Sequence, residues 1–162
     1  MSAKAVYQDT AATVQGTYGS RSASIALTVL DNLPDNYGSY AGDGITDSWQ
    51  FQYFGLNNPL AAPQADPDAD GQNNLYEFIS GVIPTDPASN FRMTMTLGTH
   101  LNERNFLFTP RLANRTYTLQ YSTDLLIWKE LSGAIHDFPL GTASDPNASE
   151  ARKFYRIGIT FP

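Results

Sequence analysis

The sequence has no cysteine among its 162 residues. This absence excludes a disulfide scaffold and a thiolate metal site, and it points away from small secreted eukaryotic modules, which usually depend on disulfides. The sequence also lacks any apolar run close to the roughly 20 residues that a membrane-spanning helix requires. No signal-peptide hydrophobic region follows the start, which does not exclude secretion. We therefore expect a soluble chain without a membrane span, compatible with a bacterial surface protein.

Basic residues are missing from a long central stretch. Between residues 31 and 86 there is no lysine or arginine, but there are nine carboxylates: Asp31, Asp35, Asp43, Asp47, Asp66, Asp68, Asp70, Glu77 and Asp86. Clustered carboxylates repel one another unless a cation lies between them, and this stretch supplies no cation of its own. The charge pattern therefore predicts a bound divalent ion. The same lack of a basic face argues against nucleic-acid binding.

The residues that are abundant indicate a β-rich globular chain. Hydrophobic residues make up 41% of the sequence, with nine Tyr, nine Phe and two Trp, which is enough for a core. Two alternating runs, 13–18 and 23–29, are joined by the turn-like residues 19–22, and this pattern predicts an N-terminal β-hairpin. One face of the second run is apolar: Ala23, Ile25, Leu27 and Val29. Because two strands alone are marginal in water, the hairpin must pack on the rest of the chain or on another molecule.

Two short helices are predicted in the acidic stretch. The first begins at Thr46 or Asp47, where the helix dipole favours a carboxylate, and stops at Gly55. The second covers residues 74–80 and ends at Gly81, because the prolines that follow forbid its continuation. Residues 31–45 are predicted to form a loop.

Period-two alternation returns after residue 90 and predicts a small antiparallel β-sandwich. The predicted strands are 91–97, 105–109, 116–121, 126–131 and 154–161. Residues 143–151 are predicted to be an exposed loop. The sequence thus divides into a β-hairpin segment at 1–30, an aspartate-rich loop and helix segment at 31–90, and the sandwich at 91–162. The predicted fold class is mostly β.

The strongest chemical motif is the twelve-residue loop 66–77. Calcium takes six to eight oxygen ligands, which a short loop can supply from alternate carboxylates, a glycine turn and a final bidentate acid. The glycine turn of this loop is Gly71. The predicted ligands are Asp66, Asp68, Asp70, the backbone carbonyl of Gln72, Asn74 and Glu77. A solvated acidic turn without an ion is the alternative, which the spacing disfavours.

A degenerate copy of this loop lies upstream. Residues 43–50 align with residues 70–77, so that Asp43 and Asp47 correspond to Asp70 and Asn74. Three uses of Asp43 and Asp47 remain open: they complete the first ion site, they form a second site with main-chain carbonyls, or they cap the helix.

The loop 66–77 resembles an EF-hand loop, but prolines precede it where an EF-hand has an incoming helix. A loop followed by a helix is closer to dockerin modules and thrombospondin type 3 repeats. Residues 43–55, 66–77 and 81–87 together resemble an aspartate-rich segment of large secreted proteins of Verrucomicrobia and Planctomycetes. Residues 116–128 and 153–157 are similar to the small β domain that ends many of those chains. The resemblance implies secretion and calcium binding, with no specific partner.

These observations favour a calcium-stabilised extracellular structural protein of a bacterial cell surface over an enzyme. Its expected partners are neighbouring domains of a larger surface protein or copies of itself, which the hairpin would join by strand exchange into filaments or tubes. The alternative is a carbohydrate-binding or anchoring module of a secreted hydrolase, in which Trp49, Tyr53 and Phe54 would form a platform for polysaccharide, although the i, i+4 spacing of Trp49 and Tyr53 favours a place in the core. No nucleophile, histidine pair or phosphate-binding glycine loop supports an enzyme.

Overall fold

A computed structural model describes residues 10–18, 21–29, 35–136 and 141–161. The protein is mostly strand, with antiparallel pairing throughout the described sheets and two short helices. The chain divides into two compact units, Met1–Pro67 with Asn73–Leu75 and Asp68–Gln72 with Tyr76–Pro162. None of the helices in the described ranges is long and apolar enough to cross a membrane.

The predicted N-terminal hairpin is confirmed. Strand β1 (Thr10–Tyr18) pairs with strand β2 (Arg21–Val29) antiparallel over their whole length, from Thr10 opposite Val29 to Tyr18 opposite Arg21. The strands are longer than predicted. The side chains of the predicted apolar face, and residues 19 and 20 of the turn, lie outside the described part of the chain.

The two predicted helices are also confirmed. Helix α1 spans Asp47–Phe54 and helix α2 spans Asn74–Ser80. Each ends at a glycine in the left-handed region, Gly55 with φ 73° and Gly81 with φ 78°, because a helix commonly terminates where the backbone reverses its twist. At Gly81 a Cβ atom would also clash with Leu112 Cδ1.

A small aromatic core holds the loop that precedes α1 in the first unit. Tyr40 and Ile45 are buried, and the Tyr37 ring meets the Phe51 ring edge to face with centroids 5.0 Å apart. The Tyr40 hydroxyl accepts from the Asn58 N–H at 2.6 Å. Residues 35–45 are therefore an ordered loop packed on the first helix, although only a loop was predicted.

Six strands build the second unit: β3 (Arg92–Leu97), β4 (Arg104–Thr109), β5 (Thr116–Ser122), β6 (Lys129–Glu130), β7 (Thr142–Asp145) and β8 (Phe154–Thr160). They form two three-stranded antiparallel sheets, ordered β3-β4-β7 and β6-β5-β8. One hydrophobic core draws residues from both sheets, with Phe106 and Phe108 from β4 and Tyr117 and Leu119 from β5. The alternation of apolar residues correctly predicted antiparallel strands in this part of the chain.

Two sequence predictions in this unit were wrong. Residues 143–151 were expected to form an exposed loop, but residues 143–145 belong to β7, which pairs with β4, and Ala143 and Asp145 are buried; residues 146–151 lie outside the strands, as predicted. A strand was expected at 126–131, but only Lys129–Glu130 pairs. The residues before it form a turn, because the Asp124 carboxylate accepts from the backbone N–H groups of Leu126 and Ile127. Leu126 is left 85% exposed.

Candidate metal centre

The loop 66–77 brings three predicted ligands together. Carboxylate oxygens of Asp66, Asp68 and Asp70 all lie within 4.8 Å of one another. Two tight turns produce this convergence: the Asp70 N–H donates to Asp68 Oδ1 at 3.2 Å, and the Gln72 N–H donates to Asp70 Oδ1 at 2.7 Å. Aspartate is common in such turns, because its carboxylate can accept a hydrogen bond from the backbone N–H two residues further on.

Positive φ angles allow the chain to turn this sharply. Ala69 has φ 62° and Gly71 has φ 93°. The left-handed region favours glycine, which explains Gly71 at the position where a calcium loop needs its sharp bend. Ala69 carries a Cβ in the same region, an arrangement that costs about 1 kcal/mol and persists only when surrounding contacts hold it.

Two residues of this loop have a buried side-chain oxygen that accepts no hydrogen bond from the described residues. Asp70 Oδ2 is solvent-inaccessible and has no hydrogen-bond partner among the described residues, and the same is true of Asn74 Oδ1. Asn74 is fully buried, and its Nδ2 group donates to the carbonyls of Leu60 at 2.7 Å and Ala62 at 2.8 Å. A flipped amide would place oxygen against both carbonyls, so the unpartnered atom must be the oxygen.

The remaining predicted ligands are Gln72 and Glu77. The Gln72 side chain is already engaged, since its Nε2 donates to the Phe91 carbonyl at 3.1 Å and its Oε1 accepts from the Phe91 N–H at 3.0 Å. This leaves its backbone carbonyl as the group it can offer an ion. Glu77 is fully buried on α2. Burying a carboxylate is costly unless a cation or several donors compensate it.

This donor set suits a hard cation. It consists of carboxylate, amide and carbonyl oxygens only, and the sequence places no lysine or arginine between residues 31 and 86. Calcium accepts six to eight such oxygens in irregular geometry, whereas magnesium demands a near-ideal octahedron. The residues present therefore fit a calcium ion.

Asp43 and Asp47 lie in the first unit, outside the converging group of Asp66, Asp68 and Asp70. Asp47 is fully buried at the first position of α1, and its Oδ2 accepts from the N–H groups of Asn36 at 3.0 Å and Tyr37 at 2.9 Å. It thus fastens the preceding loop to the helix.

Asp43 occupies a turn like that of Asp70. Its Oδ1 accepts from the Ile45 N–H at 2.9 Å, and its Oδ2 accepts from Gln50 Nε2 at 2.8 Å. Burial raises the pKa of the Asp43 carboxyl, and the neighbouring carboxylates of Asp35 and Asp47 raise it further, while those two hydrogen bonds act in the opposite direction. Negative charge is therefore crowded around Asp43.

Three polar residues of this upstream loop were missed by sequence reasoning: Asp35, Asn36 and Gln50. The Asp35 carboxylate accepts from the N–H groups of Gly42 at 2.6 Å and Gly44 at 3.0 Å. Gln50 had a signal, since it aligns with Glu77 in the internal repeat. Asn36 had none, because it precedes the aligned residues.

A second charged cluster, in the second unit, has a structural role. Lys153 Nζ lies 2.8 Å from Asp145 Oδ2 and 3.0 Å from Glu150 Oε2, and the Tyr155 hydroxyl donates to Asp145 at 2.8 Å. Burial alone raises the pKa of Asp145, but these donors outweigh it and hold the pKa below its ordinary value. Burial lowers the pKa of Lys153, but the two carboxylates outweigh it and raise the pKa. Asp145 and Lys153 thus form a buried ion pair, to which the exposed Glu150 is added.

A scan against protein-family models finds no match to this chain, and searches of curated proteins and of solved structures find no significant similarity.

Proposed function

We propose that this protein is a calcium-stabilised structural module of a bacterial cell surface or extracellular protein, and not an enzyme. The observation that carries the proposal is the convergence of Asp66, Asp68 and Asp70 in a stretch of sequence that contains no lysine or arginine. The buried, unpartnered oxygens of Asp70 and Asn74 support it, because such atoms are costly unless a cation or a donor reaches them.

The proposed role of the ion is to hold a rigid loop. The Gln72 side chain forms hydrogen bonds with the Phe91 backbone, and the Asn74 side-chain amide donates to the carbonyls of Leu60 and Ala62. The proposed ligand residues therefore also hold the loop to the surrounding backbone. A sensor must change shape when calcium leaves, whereas this loop is tied to fixed backbone groups. The resemblance of the loop to dockerin and thrombospondin type 3 loops is part of the support for this structural role.

The assembly proposal rests on the hairpin. β1 and β2 form a separate two-stranded sheet, and two strands alone are marginal in water. We propose that this hairpin completes a sheet of a neighbouring copy, and that the two sheets of the second unit form a small β-sandwich. Head-to-tail contacts of this kind give filaments when they do not close.

Two measurements test the function. Melting of the full chain in excess calcium and in chelator should differ, because an ion that binds only the folded state must raise the melting temperature. Asp86→Asn, an exposed change in the same acidic stretch, is the matched control and should keep the full calcium response. An identical melting temperature in both conditions would remove the calcium site.

Electron microscopy tests the assembly separately. Filaments that disperse in chelator are expected, and deletion of residues 1–30 should abolish them while leaving the calcium-dependent melting intact. A particle of one chain in calcium at all concentrations would contradict strand exchange. Binding of that single chain to polysaccharide would favour an anchoring module instead.

A further inference from the structure

We propose a second, independent calcium site in the first unit, formed by Asn36, Asp43, Asp47 and Gln50. It uses none of the residues of the loop 66–77. The inference begins with three solvent-inaccessible side-chain oxygens that have no hydrogen-bond partner among the described residues: Asn36 Oδ1, Asp47 Oδ1 and Gln50 Oε1.

Gln50 gives the clearest signal. Its side chain is fully buried, and its Nε2 group donates to Asp43 Oδ2 at 2.8 Å and to the Ala61 carbonyl at 3.0 Å. Flipping the amide would set its oxygen against both acceptors, so the orientation is fixed. Gln50 Oε1 is therefore held beside Asp43 with no donor to satisfy it. A buried amide oxygen in this position needs a cation or a water molecule.

Helix geometry and one backbone hydrogen bond relate Asn36 and Asp47 to Gln50. Asp47 precedes Gln50 by three residues on α1, so both side chains lie on one face of the helix. The Asn36 N–H donates to Asp47 Oδ2 at 3.0 Å, which places the Asn36 backbone against Asp47 while Asp47 Oδ1 remains unpartnered. Asp43 accepts from Gln50 and interacts electrostatically with Asp47, so the four residues are neighbours.

Charge decides between a cation and a water molecule. The group contains two carboxylates, Asp35 lies beside Asp43, and no described ion pair involves any of the three. Water can donate to the unpartnered oxygens but cannot offset the repulsion among carboxylates. A divalent ion does both, and an all-oxygen set of carboxylates and amides matches calcium.

The geometry repeats that of the downstream loop. Asp43 and Asp70 each accept from the N–H two residues further on, at 2.9 Å and 2.7 Å, and both are followed by a glycine with positive φ. Asp47 begins α1 as Asn74 begins α2. The upstream loop lacks carboxylates at residues 39 and 41, and Asn36 supplies an oxygen from a different position.

Native mass spectrometry of the full chain, stripped with chelator and titrated with calcium chloride, tests the inference. The wild-type chain should bind two calcium ions. Asp47→Asn, which puts an amide donor where the ion needs an oxygen, should bind one, and Asp70→Asn in the other loop should also bind one. Asp86→Asn is the control and should bind two. Circular dichroism confirms that each variant folds.

The outcomes separate the two sites. One ion in the wild type that survives Asp47→Asn and disappears in Asp70→Asn would overturn the second site and leave the proposed function standing. One ion that survives Asp70→Asn and disappears in Asp47→Asn would support the second site and overturn the first. No ion in the wild type would overturn both.

Gln50→Glu provides a test that does not depend on counting ions. It replaces the Nε2 donor by an oxygen that meets Asp43 Oδ2 and the Ala61 carbonyl, so it should lower the melting temperature in chelator. An ion bound beside Asp43 would offset the added negative charge, so calcium should raise the melting temperature of this variant by more than it raises that of the wild type. An equal loss of melting temperature in calcium and in chelator would overturn the inference.

Discussion

Asp70→Asn should change the stability of the protein in opposite directions with and without calcium. The substitution keeps Oδ1, which accepts from the Gln72 N–H at 2.7 Å, and replaces the unpartnered Oδ2 by an amide. The aspartate oxygens lie within 4.8 Å of one another, and two charges at that distance repel by about 0.9 kcal/mol in water and by about 3.5 kcal/mol at an effective dielectric of 20. Asp70 takes part in two such pairs.

In chelator, the free energy of unfolding of the variant should therefore be about 2 kcal/mol larger than that of the wild type. The value for water applies because the loop is partly exposed, and Asp70 loses its repulsion in both pairs. In calcium at about 1,000 times the dissociation constant, the wild type gains about 4.1 kcal/mol. A site weakened about hundredfold by the lost charge gains only about 1.4 kcal/mol. The difference of about 2.7 kcal/mol exceeds the relief of repulsion, so the order of stabilities reverses.

Urea denaturation followed by circular dichroism, in chelator and in calcium, measures all four free energies of unfolding. Asp86→Asn controls for removal of a negative charge from the same stretch and should show no reversal. If Asp70→Asn were less stable than the wild type by the same amount in both conditions, the aspartate group would be a fixed element of the fold, and the argument for an ion would fail.

Three further predictions concern the second unit. Phe108→Ala removes a ring that is 1% exposed in the shared core and should lower the free energy of unfolding by about 3 to 5 kcal/mol in urea denaturation, with or without calcium. Arg115→Ala deletes two hydrogen bonds to the last carbonyls of α2, at 2.6 and 3.1 Å, and should cost about 2 kcal/mol in the same assay; Arg115→Lys should restore little, since an ammonium lacks the planar fork. Lys153→Met leaves Asp145 buried without its cation and should cost about 3 kcal/mol at neutral pH. In the wild type, ionised Asp145 stabilises the folded state above its unfolded pKa of about 3.9, and this stabilisation is lost as pH falls through the lower folded pKa. Protonated Lys153 stabilises the folded state below its unfolded pKa of about 10.4, and this stabilisation is lost as pH rises through the higher folded pKa. Melting across the pH range checks this, and an equal cost of Lys153→Met at acidic and neutral pH would contradict it.

Local rules made much of this protein predictable from its sequence. Both helices start and stop where the sequence indicated, because the terminating signals, Gly55 and Gly81, act on their own neighbours. The hairpin and the main strands of the second unit follow from alternation of side chains, which depends only on the two-residue period of a strand. The aspartate spacing of the loop 66–77 is likewise local, and its three carboxylates do converge.

Tertiary contacts decided the features that the sequence could not show. Strand β7 has the polar sequence of a loop and became a strand because β4 offers it a pairing edge and Lys153 compensates Asp145. Leu126 and Ile127 are residues typical of strands, but both are exposed because their backbone N–H groups donate to Asp124 in a turn.

The same division applies to the ion sites. Spacing along the chain determined the loop 66–77, because its ligands are close in sequence and a short turn is enough to gather them. The upstream group was decided by folding, since Asn36 meets Asp47 only when the preceding loop packs on α1. Whether a polar oxygen is buried and lacks a donor depends on every neighbour around it, and those neighbours come from distant parts of the chain.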